Sequence, residues 1–227
     1  KNARSGSYHY VDDGLVSAFS VDEKLRIMYE INLVNGPSHF QGYSAEQYDK
    51  EDLYRKAYRE PITNYYNWSW MWECLSTYYL AGVNDYGFVH FDIKDFKMVN
   101  ELYNHQVAND LLIRITKNIE AHKDWIYFGA RCHNDNFAMM IRDMPEDETE
   151  AKLNAFFDEV SKLDVDPTYS IYYRCGVVSM RYAMNAGDTV ADCAKLAQAT
   201  GTDINATEIK FYTKEMQEKV LWGKQLK

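Results

Sequence analysis

The sequence predicts an α+β fold in which a central, mostly antiparallel sheet is covered by helices, and three observations predict it. Between Tyr86 and Thr200, strand-like apolar runs alternate with helix-like stretches in the order βααββαβα. Only one pair of those strands is adjacent in sequence, so there is one hairpin and the remaining connections cross over helices. The 227 residues are 46% hydrophobic and 26% charged, ordinary for a globular domain with one good core. This order and size suit a layered fold of the ferredoxin-like or polymerase-palm kind, with a β-rich appendage and a linker helix in front.

From the amino end, residues 8–31 alternate apolar and polar around Asp12-Asp13-Gly14 and Asp22-Glu23, which predicts two or three short strands joined by turns. Residues 1–43 therefore read as a β-rich segment, the tail of an upstream sensor domain. Gly36-Pro37 and Gly42 mark a loop. Ser44 with Gln47 then makes a capping box, where each side chain satisfies an amide of the first turn, so a helix is expected to about Glu60. Its charged and tyrosine-rich composition suits a linker over residues 44–60, and Pro61 ends it. Trp68–Leu80 reads as a buried helix, with Trp68, Trp72 and Tyr79 near one face and expected in the core.

The main domain, residues 61–212, continues as strand Tyr86–Asp92, helix Phe96–Tyr103, helix Val107–His122, strand Trp125–Cys132, strand Phe137–Arg142, helix Glu148–Leu163, strand Tyr169–Met180 and helix Thr189–Thr200. Residues 213–227 form a charged, helix-like run that reads as a second linker. The chain opens on Lys1 rather than Met and is read as a fragment of something longer.

A formal charge of −9 gives no general attraction to nucleic acid or anionic lipid, because an acidic surface cannot neutralise phosphates and so release their counterions. No apolar run approaches the roughly 20 residues of a membrane helix. Cys74, Cys132, Cys175 and Cys193 lie far apart, with no C-x-x-C pair to suggest zinc or a disulfide framework. The 19 tyrosines and the tryptophans suggest a stacking platform for nucleotides, but without accompanying basic residues core packing is the better expectation.

Three segments carry chemistry. The first is Phe91-Asp92-Ile93-Lys94-Asp95-Phe96-Lys97-Met98-Val99-Asn100-Glu101-Leu102-Tyr103-Asn104-His105, followed by Val107-Ala108-Asn109-Asp110-Leu111-Leu112. The second, Ala130-Arg131-Cys132-His133-Asn134-Asp135-Asn136-Phe137-Ala138, falls at a hairpin tip. The third runs from Ala191 to Gly201, and Ile62-Thr63-Asn64-Tyr65 precedes them all. Together, at these separations, they resemble the GGDEF domain, the diguanylate cyclase fold of bacterial cyclic-di-GMP signalling.

The resemblance implies a role for each residue. Asp92, the Ile93 carbonyl and Asp135 stand where the family holds divalent metal. Lys97, Asn100 and Asn109 stand where the family binds nucleotide, Asn100 and Asn109 where the guanine is read. Asn109 replaces the family's aspartate, so its amide can make only part of that recognition. Lys94 takes the place of a second acid and is expected to be a surface lysine, and His105 is expected to make a structural hydrogen bond. At the tip, His133-Asn134-Asp135-Asn136-Phe137 replaces Gly-Gly-Asp-Glu-Phe. Two glycines that let the backbone approach the triphosphate are lost, and a neutral amide stands for a metal-binding carboxylate. Thr200 and Ile204 hold the places of a phosphate-neutralising lysine and arginine. Asp124 and Tyr127 replace the Arg-x-x-Asp pair that binds the product in feedback inhibition.

The cyclase joins two GTP molecules, with metal stabilising the transition state. Losing one such electrostatic partner can cost about 2.7 to 4 kcal/mol. The expectation is therefore a catalytically silent module that controls an attached output domain, an EAL-type phosphodiesterase domain downstream being the partner implied. GTP is the candidate ligand, with Mg²⁺ only if nucleotide binds. A residual cyclase and a pure dimerisation scaffold are the alternatives. The bacterial cytoplasm is the expected location, the fragment belonging to a larger and conceivably membrane-anchored signalling protein.

Overall fold

The structure is a computed structural model that describes residues 50–180, 190–216 and 218. The strands expected in residues 8–31, the helix start at Ser44 and most of the helix expected after residue 213 lie outside the described residues. The chain divides into two compact units, Lys1–Tyr54 and Arg55–Lys227, and the second contains the sheet. No helix among the described residues is long and apolar enough to cross a membrane.

In chain order the elements are α1 Lys50–Tyr58, α2 Trp68–Leu80, β1 Tyr86–Ile93, α3 Phe96–Leu102, α4 His105–Ala121, β2 Ile126–His133, β3 Asn136–Arg142, α5 Glu146–Glu159, β4 Tyr173–Ser179, α6 Val190–Gln198 and β5 Glu208–Phe211. The strands form one five-stranded sheet in the order β2-β3-β1-β4-β5. All neighbours are antiparallel except β4 and β5, which run parallel. The sheet is therefore mixed, and β5 is the strand that sequence patterning does not announce. It has four half-buried residues, so its place is set by pairing with β4 rather than by local alternation.

β1 is buried along its whole length because it is central and has helices over both faces. One face carries Val89, Phe91 and Ile93 into a core shared with Leu111, Leu112 and Ile115 of α4 and Phe156 and Phe157 of α5. The Phe91 ring stacks on Phe137 at 5.2 Å and meets Phe157 edge-on at 5.2 Å. Each such ring contributes about 1.5 to 3 kcal/mol by leaving water. The opposite face carries Phe88, His90 and Asp92, and α2 and α6 lie over that side of the sheet.

Helix α2 begins at Asn67, whose side chain accepts from the Trp70 amide at 3.1 Å. Its buried face is Met71, Cys74, Leu75 and Tyr78, while Trp72 and Tyr79 are 46% and 62% exposed. This corrects the expectation that Trp68, Trp72 and Tyr79 enter the core. The i, i+3, i+4, i+7 stripe that faces the sheet starts at Met71 and leaves those aromatics to one side. β4 also begins later than expected, at Tyr173. Asp166 accepts from the Thr168 amide at 3.0 Å and from the Thr168 hydroxyl at 2.6 Å, which holds the preceding residues in a turn.

Helix α6 approaches β4 at Gly176. A methyl group there would collide with the Ala194 carbonyl oxygen and stand 2.5 Å from the Gln198 backbone nitrogen. His90 pairs across the sheet with Ala138 on one side and Gly176 on the other, so the two smallest neighbours leave space for both the imidazole and the helix.

Candidate functional site

The residues that end β1, open β4 and turn the β2–β3 hairpin meet at one end of the sheet. Asp92 pairs in register with Asn136 of β3 and with Arg174 of β4, so the three side chains form one cross-strand row. Arg174 grips Asp92 with two parallel hydrogen bonds, Nε to Oδ1 at 3.1 Å and Nη2 to Oδ2 at 2.6 Å. Such a fork is among the stronger charge-assisted arrangements. Asp92 is 8% exposed, whereas the Arg174 side chain is 45% exposed and reaches the carboxylate from the solvent side.

Asp135 follows at the hairpin tip. Burial pushes its carboxyl above the usual range and the nearby Asp92 charge adds to this, while the backbone amides of Asp135 and Ile93 and the Arg174 charge pull the other way. The set of Asp92, Asp135 and the Ile93 carbonyl does not fit a divalent cation as it stands. Both Asp92 oxygens accept from Arg174, and Asn136 offers only a neutral oxygen. Among the described residues no group of three or more His, Cys, Asp or Glu side chains is arranged to hold a metal ion.

Asn134 turns the hairpin with φ 50°, a left-handed conformation that asparagine tolerates better than most side chains. Arg131 anchors that turn, its Nε donating to the Asn134 carbonyl at 2.8 Å. The same guanidinium pairs with Glu60 at 2.5 Å, both side chains being nearly buried. His133 and Asn134 are exposed at the tip, Phe137 lies in the core, and Asn136 reaches Asp135 at 3.4 Å.

The expected nucleotide contacts lie on the two helices after β1. Lys97 is 86% exposed and pairs with Glu101 at 3.1 Å. Asn100 Nδ2 donates to the Phe96 carbonyl at 3.3 Å, and its Oδ1 lies 2.7 Å from His105 Nδ1. His105 thus takes the structural role expected of it. Asn109 is half-buried in the second turn of α4.

Lys94 corrects another expectation, because it is not a surface lysine. Its side chain is 6% exposed, and its ammonium donates to the carbonyls of Asp203 and Ala206, the latter at 2.7 Å, and to Glu208 at 3.0 Å. The lysine therefore fastens the loop that leads into β5. Burial works to raise the Glu208 carboxyl, but Lys94, Lys210 and the Thr202 amide outweigh it and hold the group down to about 2. Behind Asp92, His90 Nδ1 meets Gln198 Oε1 at 2.7 Å, and burial pushes the imidazole down to about 4.

The family model described as diguanylate cyclase, GGDEF domain, matches residues 57–202. The chain belongs to the GGDEF family. Solved GGDEF structures share its fold. The coiled coil and GGDEF domain of DgcB from Caulobacter crescentus, solved in complex with c-di-GMP, aligns with a TM-score of 0.56 at 18% identity over 85% of this chain and 100% of that one. The diguanylate cyclase SiaD of Pseudomonas aeruginosa, solved with its activator SiaC, aligns with a TM-score of 0.54 at 18% identity over 84% of this chain and 68% of that one. A diguanylate cyclase/phosphodiesterase from Caldicellulosiruptor saccharolyticus aligns with a TM-score of 0.55 at 15% identity over 70% and 96% of the two chains. No curated protein matches the sequence.

In this GGDEF chain the residue that closes on Asp92, Arg174, is one that motif reading passes over. A signal for it exists: it is the lone cation in the otherwise apolar run Ile171-Tyr172-Tyr173-Arg174-Cys175-Gly176-Val177-Val178. A charge within a strand of that composition calls for a buried partner. Antiparallel pairing with β1 supplies it.

Proposed function

We propose that the chain is a catalytically silent GGDEF module that regulates an attached output domain in cyclic-di-GMP signalling. The observation that carries this reading is the Asp92–Arg174 fork. Asp92, the strand-end carboxylate expected to bind catalytic metal, is already neutralised from within the protein. Supporting it, Asn136 stands in the same cross-strand row as an amide rather than a carboxylate.

In this proposal residues 1–43 are the tail of an upstream sensor domain, 44–60 a linker helix, 61–212 the GGDEF module and 213–227 a second linker leading to an output domain of the EAL type. The bacterial cytoplasm is its proposed location. GTP, presented to Asn100 and Asn109, is the proposed ligand, and dimerisation a proposed mode of action. A second reading, a pure interaction scaffold, is favoured by the internal bonds of Asn100 to His105 and Phe96, which occupy the amide that would read a base.

Incubating the purified protein with GTP and either Mg²⁺ or Mn²⁺, followed by chromatography, tests the central claim. No dinucleotide product is expected. A cyclic-di-GMP peak that vanishes in Asp92→Ala would overturn it. Calorimetry with GTP separates the two readings, since heat that is lost in Asn100→Ala favours the nucleotide-binding module and no heat favours the scaffold.

A further inference from the structure

We infer that Arg174 is a resident cation that takes the place of a divalent ion between Asp92 and Asp135, and that its removal turns this end of the sheet into a metal-binding site. The inference rests on the silent-module reading of the same site and says what enforces it.

The charges themselves lead to this assignment. Asp92 on β1 and Asp135 at the tip of the β2–β3 hairpin lie close enough to interact, and both feel the Arg174 charge. Two carboxylates held by rigid backbone elements attract a small, hard cation unless some other positive group offsets them. Arg174 does so, placing two donors on the two oxygens of Asp92. A guanidinium stays protonated under any condition the fold survives, so this neutralisation does not lapse with pH. A divalent ion would have to displace the fork and accept a positive neighbour on its boundary.

Access also points to the side chain rather than the scaffold as the barrier. Asp92 is held by β1, which is hydrogen-bonded on both edges, and Asp135 is fixed by the hairpin that Arg131 anchors. Arg174 is 45% exposed, so its guanidinium can leave, or be shortened away, without opening the core. The backbone of β4 is unaffected by such a change, since the ladder bonds of Arg174 are main-chain bonds. Any anionic ligand that the wild-type pocket takes is then held without divalent metal.

The test is a Mn²⁺ titration of the nucleotide-free protein, read by electron paramagnetic resonance of free Mn²⁺ and by the Mn²⁺ dependence of the melting temperature. Wild type is expected to leave the free-ion signal and its melting temperature unchanged. Arg174→Gln, which keeps the side chain's bulk and polarity but not its charge, is expected to bind Mn²⁺ about tenfold or more tightly than wild type. Its melting temperature should rise with added metal, as a ligand specific for the folded state requires. Both gains should disappear in Arg174→Gln/Asp92→Asn. Arg174→Ala gives the same comparison with the side chain removed. If it fails to fold, the Gln variant decides. Wild type binding Mn²⁺ as tightly as Arg174→Gln would overturn the inference, as would a folded Gln variant with no gain. Because no nucleotide is present, these outcomes are independent of whether the protein turns over GTP, which decides the silent-module reading separately.

Discussion

His90 makes stability depend on pH in a direction the structure fixes. Its imidazole is buried against Gln198, with Lys195, Asp92 and His133 as the charged or titratable neighbours, and its pKa lies at about 4 rather than 6.5. A histidine depressed in the folded state leaves the unfolded chain as the better proton acceptor. Its contribution is thus complete above about 6.5, declines as pH falls, and levels off below about 4. Linkage over this interval predicts a loss of about 2 kcal/mol between pH 7 and pH 5 and about 3 kcal/mol by pH 4. Urea unfolding followed by tryptophan fluorescence at several pH values would measure it. The comparison is with His90→Leu/Gln198→Leu, which removes both members of the buried polar pair and leaves neither unsatisfied. Other titrating groups are common to both proteins and drop out of the difference. If the two stability profiles run parallel from pH 7 to pH 4, His90 is not the group responsible and the account of its burial is wrong.

Gly176→Ala should destabilise the fold by about 3 kcal/mol, at the upper end of overpacking costs, because the colliding atoms belong to the α6 backbone and cannot rotate away; an unchanged denaturation midpoint would refute this. Arg131→Ala should cost about 3 kcal/mol by leaving Glu60 nearly buried without its partner. It should also raise hydrogen exchange at the hairpin amides 133–136, and exchange no faster than wild type would separate the turn from that anchor. The depressed Glu208 carboxyl contributes stability that is complete above about 4.5 and is lost as pH falls towards about 2. Lys94→Met should therefore flatten the acid limb of the stability profile in that interval, and an unaltered limb would remove Lys94 from the explanation.

Much of the fold was legible because its strands and helices announce themselves locally. The Phe91 face of β1 and the Leu111-Leu112-Ile115 stripe of α4 each carry their own periodicity. β5 carried none, since Glu208-Ile209-Lys210-Phe211 becomes a strand only through β4. Aromatic size suggests Trp72 and Tyr79 for the buried face of α2, whereas the geometry of contact selects Met71, Leu75 and Tyr78. At the site, Asp92, Asp135 and Asn136 were found by position in a motif. Arg174 and the anchoring use of Lys94 were not, because their partners lie 82 and 114 residues away and only register brings them together.

Three asparagines, Asn64, Asn104 and Asn134, hold backbone at φ values of 53°, 138° and 50°. Glycine takes such positive-φ conformations freely and asparagine better than most other side chains, so the main chain keeps a glycine-like course through each bend without a glycine. Exchanging any of the three for glycine would therefore ask for no new path of the loops.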